Sequence, residues 1–253
     1  MSKVIRVVVP LDPMEEQSWH LAAAYAVKIA CEGTPRATDV ILLTHTKDQL
    51  RNTSLAGHLG INAAKALGSG ARLDLKAGAT LRHATLRTLG HSARNAVIIA
   101  FYAEDRMLEA LDGLAGVLGI VAVPDLAGQA DGWIKRWGPV VHGSPRAAPE
   151  KLIDDPVVER ALEAITTLSN IAYDVMHTRD KQHADEIFRI LRAKGHTLDP
   201  TKIKSWAIRR GWKPGCAEEL AKVAAKVMKL ARKPSLAGFH EPHDRYAWWK
   251  GGH

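Results

Sequence analysis

Apolar and polar positions along the first half of the chain fall into blocks that predict strands and helices in turn. Residues 4–10 form a nearly continuous, β-branched apolar run broken by Arg6, as suits a strand covered on both faces in a parallel sheet. Asp12, Pro13 and Glu15 then predict a helix start, with Asp12 as N-cap and Pro13 at the first helical position. Trp19, Ala22, Ala23, Ala26 and Ile29 recur at helical spacing behind it. The reading continues as strand 40–44, helix 50–67, a weaker strand 71–75, helix 81–89 and strand 96–100. A short helix at 104–111, a strand at 119–123, a helical turn at 133–137 and an edge strand at 140–142 complete it. Strands alternating with helices imply an α/β fold: a mainly parallel sheet with right-handed crossovers and helices on both faces.

The pattern changes after residues 143–151, where two prolines and small side chains disfavour regular structure and mark a domain boundary. Beyond it only helical periods occur. Val157, Ala161, Leu162, Ile165 and Leu168 follow Asp155 and Pro156, predicting a helix over 156–170. A second, over 181–194, stops at Gly195, and a third, over 202–210, begins behind Asp199 and Pro200 and stops at Gly211. A fourth runs over 217–231. Ile203 and Trp206 are read as core. The expected organisation is an α/β domain over 1–145, a small all-helical basic domain over 151–234 and a tail over 235–253. The tail is aromatic and too irregular for a helix, so it is expected to dock: Trp248 and Trp249 either pack across the domain junction or anchor a protein partner.

Composition narrows the class. With 46% hydrophobic and 25% charged residues in 253, the chain is neither disordered, collagenous nor a disulfide scaffold. Two cysteines, Cys31 and Cys216, suit a reducing compartment. The opening lacks the pattern of a signal peptide, and no stretch approaches the ~18 to 20 apolar residues of a membrane span. A cytoplasmic location without a membrane partner is expected, with oligomeric state left open.

Charge is uneven. Lys and Arg number 35 against 27 Asp and Glu, a net of +8. Residues 1–145 hold 15 basic and 13 acidic side chains, whereas residues 189–233 hold 13 basic side chains against Asp199, Glu218 and Glu219. Such a run favours a polyanionic partner or, equally, a solvated helix face on which Lys222, Lys226 and Lys229 keep the bundle soluble.

Candidate chemistry is sparse. No G-x-G-x-x-G, G-x-x-x-x-G-K-[ST], G-x-S-x-G or C-x-x-C occurs. Gly57 and Gly60 fall inside a predicted helix and are read as close packing and a helix stop. His240, His243 and Asp244 lack the spacing of a zinc motif, so no metal site is expected. In parallel sheets ligands bind outside the carboxyl ends of the strands, which nominates Asp12, Thr44 and His45 as small-ligand residues. Each has a plainer reading: Asp12 as a helix cap, His45 as the partner of a neighbouring carbonyl.

Two resemblances add to this. The stretch VVVPLDPMEEQSWHLAAAYAVKIA with DVILLTHT resembles the opening of the universal stress protein family over about the first 45 residues. That likeness implies an α/β fold, with Asp12 matching the aspartate that lies near adenine in nucleotide-binding members. Their G-x-x-G-x9-G-[ST] motif is missing from FYAEDRMLEALDGLAGVLGIVAVP. The phrase IKSWAIRRGWKPG is similar to the C-terminal DNA-binding helix pair of actinobacterial H-NS-like nucleoid proteins, over about 30 residues. Their groove-reading Arg-Gly-Arg is replaced by Trp212, Lys213, Pro214 and Gly215. The likeness therefore implies phosphate contact through Lys202, Lys204, Arg209, Arg210 and Lys213.

These readings converge on a non-enzymatic protein whose basic helical module contacts nucleic acid and whose α/β domain is a scaffold or interaction surface. The alternatives are a nucleotide- or small-anion-binding enzyme or sensor at the strand ends, and a structural component of a larger assembly. No cofactor is expected, with ATP or another nucleotide belonging to the first alternative.

Overall fold

The computed structural model describes residues 4–75 and 78–251. The chain divides into two compact units, Met1–Glu150 and Lys151–His253.

The first unit is built on a seven-stranded sheet of order β3-β4-β2-β5-β6-β1-β7. The strands are β1 (Ile5–Val8), β2 (Asp39–Thr44), β3 (Leu73–Asp74), β4 (Thr80–Thr85), β5 (Ala96–Ala103), β6 (Gly119–Pro124) and β7 (Val140–Val141). All neighbours pair in parallel except β3 with β4. Every residue of β5 and β6 is buried, as runs of apolar side chains covered on both faces require. One face packs on α1 (Glu16–Glu32), α2 (Lys47–Asn52), α3 (Ser54–Leu59) and α4 (Ile61–Gly68). The other packs on α5 (Leu86–Leu89), α6 (Asp105–Asp112) and α7 (Asp131–Trp137).

The strand-helix alternation is as expected, but three elements differ. The span 81–89 opens as strand β4, not helix: it lies in register with β2 from Asp39↔Thr80 to Thr44↔Thr85, and α5 follows as one turn. Sheet pairing overrides the local preference, and Arg82 is held in it by an ion pair to Asp39 at 3.0 Å. The span 50–67 is three helices, interrupted by Thr53 in extended conformation and by Gly60 at φ +83°, which stops α3 and starts α4. A side chain at Gly57 would meet open space, so close packing does not explain that glycine. Helix α1 starts at Glu16 behind Glu15, because Asp12 and Pro13 form a turn instead: Asp12 Oδ1 accepts from the Met14 amide at 2.8 Å, and its carbonyl accepts from that of Glu15.

Arg6, the polar break in β1, enters a buried knot. The fully buried Asp112 at the end of α6 accepts from the indoles of Trp133 (3.1 Å) and Trp137 (3.0 Å) and from Arg136 (2.9 Å). Arg6 lies 3.6 Å from the same carboxylate and 3.6 Å from the Trp137 ring centroid. Burial holds the Arg6 guanidinium below its ordinary pKa, against the opposing pull of Asp112.

The second unit is helical: α8 (Pro156–Leu168), α9 (Thr178–Ala193), α10 (Pro200–Arg209), α11 (Pro214–Met228) and α12 (Pro242–Gly251). Asp155 and Asp199 cap α8 and α10, each ahead of a first-turn proline. Trp206, Trp212, Phe188 and Ile203 lie in the core. The tail is not irregular: residues 242–251 form α12, which packs on α8 and α9. Trp249 is 2% exposed, while Trp248 is 54% exposed. Arg160 secures the end of α12 by donating to the carbonyls of Trp249 and Lys250.

Candidate functional site

The carboxyl ends of β2 and β5 form one polar cluster. Thr44 is fully buried; its hydroxyl donates to the Thr46 carbonyl (2.8 Å) and accepts from His83 Nε2 (2.8 Å). His83 is thereby fixed with its proton on Nε2, and burial together with Lys47 pushes its pKa down to about 4. His45 Nε2 donates to the Tyr102 carbonyl at 3.1 Å, the plainer of its two expected roles. Tyr102 sits at φ +58° in a bulge between Phe101 and Ala103. Its hydroxyl donates to Thr53 (2.7 Å) at the start of α3. The left-handed residue thus ties β5 to the helix layer rather than opening a pocket.

The ends of β1 and β6 flank a cleft of about 350 Å³. Its apolar wall includes Pro10, Pro13, Pro124 and Ile134, and its polar groups include the carboxylates of Asp12, Asp125 and Asp131. Neither Thr44 nor His45 lines it. The three residues nominated for a small ligand are therefore dispersed: Thr44 is inaccessible, His45 is bonded to backbone, and Asp12 alone faces the cleft. Among the described residues no lysine, arginine or histidine lines that cleft, so its field does not favour an anion.

In the helical unit, most of the cations nominated on α10 are met by carboxylates of other elements. Lys202 lies 3.4 Å from Asp154, Lys204 2.9 Å from Glu218, and Arg210 2.7 and 3.5 Å from Glu163 and Glu159. Arg210 also covers the Trp206 ring at 5.3 Å. Arg209 is half-buried, and Lys213 is the N-cap residue of α11. The lysine partners hold Glu218 and Glu219 below the ordinary carboxylate range.

A different group of cations stays open. Lys222 and Lys226 project from α11, Lys229 is its C-cap residue, and Arg232 and Lys233 follow its end; all five are exposed. Lys222 has a partial partner in Glu218 at 3.6 Å, whereas Lys226, Lys229, Arg232 and Lys233 have no acidic partner among the described residues. From sequence, these three lysines suit a solvated face and a polyanionic partner equally. The signal that singles them out was present: no Asp or Glu occurs between Glu219 and Glu241.

Buried Cys216 has its thiol pushed up to about 11 by burial and Glu219, so it is not a nucleophile at neutral pH. Among the described residues no group of three His, Cys, Asp or Glu is placed to hold a metal ion, and no helix is long and apolar enough to cross a membrane.

A family model described as a domain of unknown function (DUF1889) matches residues 154–250, which run from just before α8 almost to the end of α12. No curated protein and no solved structure matches the chain. Neither resemblance noted in the sequence, to stress proteins or to H-NS-like proteins, has a counterpart in these comparisons.

Proposed function

We propose that the helical unit is a basic nucleic-acid-binding module and that its contact surface is the outer face of α11 with the turn after it. The supporting observation is the set of five exposed cations, Lys222, Lys226, Lys229, Arg232 and Lys233, four of them without an acidic partner among the described residues. Unpaired cations keep their full attraction for phosphate, whereas Lys202, Lys204 and Arg210 on α10 would have to give up an ion pair first. The phosphate-contact role is thereby shifted from α10 to α11, and the α/β unit is read as a scaffold or interaction surface.

The experiment is a salt titration of binding to duplex and single-stranded oligonucleotides. Log affinity should fall linearly with log salt, with a slope of about −0.9 per neutralised phosphate on a duplex. Absence of binding at low salt would overturn the reading.

A second reading is favoured by the cleft between β1 and β6, whose volume of about 350 Å³ falls in the range of small-molecule sites. Its carboxylates suit a neutral or cationic compound better than a nucleotide. A thermal-shift screen tests it, since a ligand at about 100 times its dissociation constant adds about 2.7 kcal/mol of stability.

A further inference from the structure

Between α9 and α11 runs a groove of about 510 Å³ that adjoins the cationic face. Its apolar surface comes from Val223 on α11 and Phe239 on the segment leading to α12. Phe239 is placed by a tight turn, in which its amide donates to the Leu236 carbonyl (3.3 Å) and Gly238 takes φ +87° at the position that needs it. Gln182, exposed on α9, supplies a side-chain amide with no partner among the described residues.

The groove's charges are mostly settled from outside. Asp185 is paired with Arg189 and Glu186 with Arg245, both at 2.5 Å, and Lys181 is held by Glu219 at 2.9 Å. Lys226 is the exception. It lines this groove and also a shallow depression beside it formed with Lys222, Ala225, Lys229 and Leu230, so one unpaired ammonium joins the aromatic groove to the lysine stripe.

We infer that this groove takes an unstacked base of a single-stranded nucleic acid, with the base face on Phe239, its edge toward Gln182, and the adjoining phosphates on Lys226 and Lys229. The inference rests on the nucleic-acid reading above and adds the strand state of the ligand. The chemistry is that of single-strand platforms, which pair an aromatic side chain with a basic track and read little sequence. A duplex keeps its bases stacked and out of reach, so it would engage the lysines alone.

The test is fluorescence anisotropy on the full chain with labelled oligothymidylate of about 16 nucleotides, oligouridylate of the same length, and a duplex, each over a range of salt. The wild-type protein should bind either single strand more tightly than the duplex. Phe239→Leu, which keeps apolar bulk and removes the ring face, should weaken single-strand binding by about tenfold while leaving the salt slope and duplex affinity unchanged; Phe239→Tyr should restore it. Lys226→Ala with Lys229→Ala should instead flatten the slope for both ligands. Unchanged single-strand affinity in Phe239→Leu, alongside the lysine effect, would overturn the base site and leave the nucleic-acid reading standing. No binding of any oligonucleotide by the wild type would remove both. An unchanged melting temperature for Phe239→Leu confirms that the variant is folded.

Discussion

His196 Nδ1 lies 2.5 Å from Asp155 Oδ2, across 41 residues of sequence. The other carboxylate oxygen of Asp155 caps α8 by accepting from the amides of Val157 (2.9 Å) and Val158 (3.4 Å), and the far ring nitrogen of His196 meets the Tyr246 hydroxyl at 3.0 Å. One chain of hydrogen bonds therefore joins the start of α8 to α12. Burial opposes ionisation of Asp155, but the bonds from His196 and the two amides outweigh it and hold its carboxyl below the ordinary range.

The depressed carboxyl fixes a pH dependence. Because the folded state binds the proton less readily than the unfolded one, this contribution to stability is fully present above the unfolded-state value near ~3.9 and is lost as pH falls through the lower, folded value. Urea unfolding of the helical unit, followed by tryptophan fluorescence, should show a loss below about pH 4 that is weaker in Asp155→Asn. Asparagine caps a helix about as well as aspartate, so the cap on α8 should persist in that variant at neutral pH. Equal acid sensitivity in both proteins would show that Asp155 is not the titrating group.

His83 gives a separate window in the α/β unit. Its folded pKa, near about 4, lies below the unfolded value of ~6.5. Between those values the unfolded chain binds more protons, so this contribution is complete above about pH 6.5 and declines as pH falls toward 4. An imidazole titration by NMR should show no charge change at His83 down to about pH 5. A midpoint near the ordinary histidine value would contradict the fixed proton on Nε2 and the bond to Thr44.

Trp249 and Trp248 are neighbours with opposite exposure, 2% and 54%. Trp249→Ala should cost roughly 3 to 5 kcal/mol, as for a large core side chain, and release α12 to proteolysis. Trp248→Ala should stay within about 0.5 kcal/mol. Comparable losses for both would mean that burial of Trp249 does not set the stability of α12.

That single buried side chain also explains why α12 is not legible in the sequence. Only Trp249 is buried among its residues, so no apolar stripe recurs at helical spacing. Strands β2, β5 and β6 are legible because burial on both faces demands uninterrupted apolar residues. Strand β4 is not, because Arg82 and His83 find their partners on β2, at Asp39 and Thr44. The same limit applies to the site. Helical spacing separates the inner and outer faces of α10, but it carries no sign that Asp154, Glu163 and Glu218 arrive from elsewhere to neutralise Lys202, Arg210 and Lys204.

The buried knot at Asp112 should be among the most sensitive points of the α/β unit. Asp112→Asn removes the charge shared by Arg6 and Arg136 while keeping the shape, so two buried guanidiniums lose that carboxylate's charge. A loss of about 3 to 5 kcal/mol is expected in chemical denaturation, whereas Asp125→Asn, on an exposed residue, should be near neutral. A small effect at Asp112 would mean that water reaches the knot.

The contrast between α10 and α11 gives the decisive prediction for the nucleic-acid reading. If phosphate is held by cations that lack a protein partner, replacing Lys226, Lys229, Arg232 and Lys233 by alanine should reduce the salt slope on a duplex by up to about 0.9 for each phosphate no longer neutralised. The fold should persist, because each of the four is exposed. Replacing Lys202 and Arg210 removes the same kind of charge from the same unit but leaves Asp154, Glu159 and Glu163 without their cations, so net charge falls while the proposed surface stays intact. Diffuse attraction to a positive molecule would respond to the two sets in proportion to charge removed. A site on α11 would respond to the first set alone, and a fall in slope confined to the α10 variant would return the contact surface to that helix.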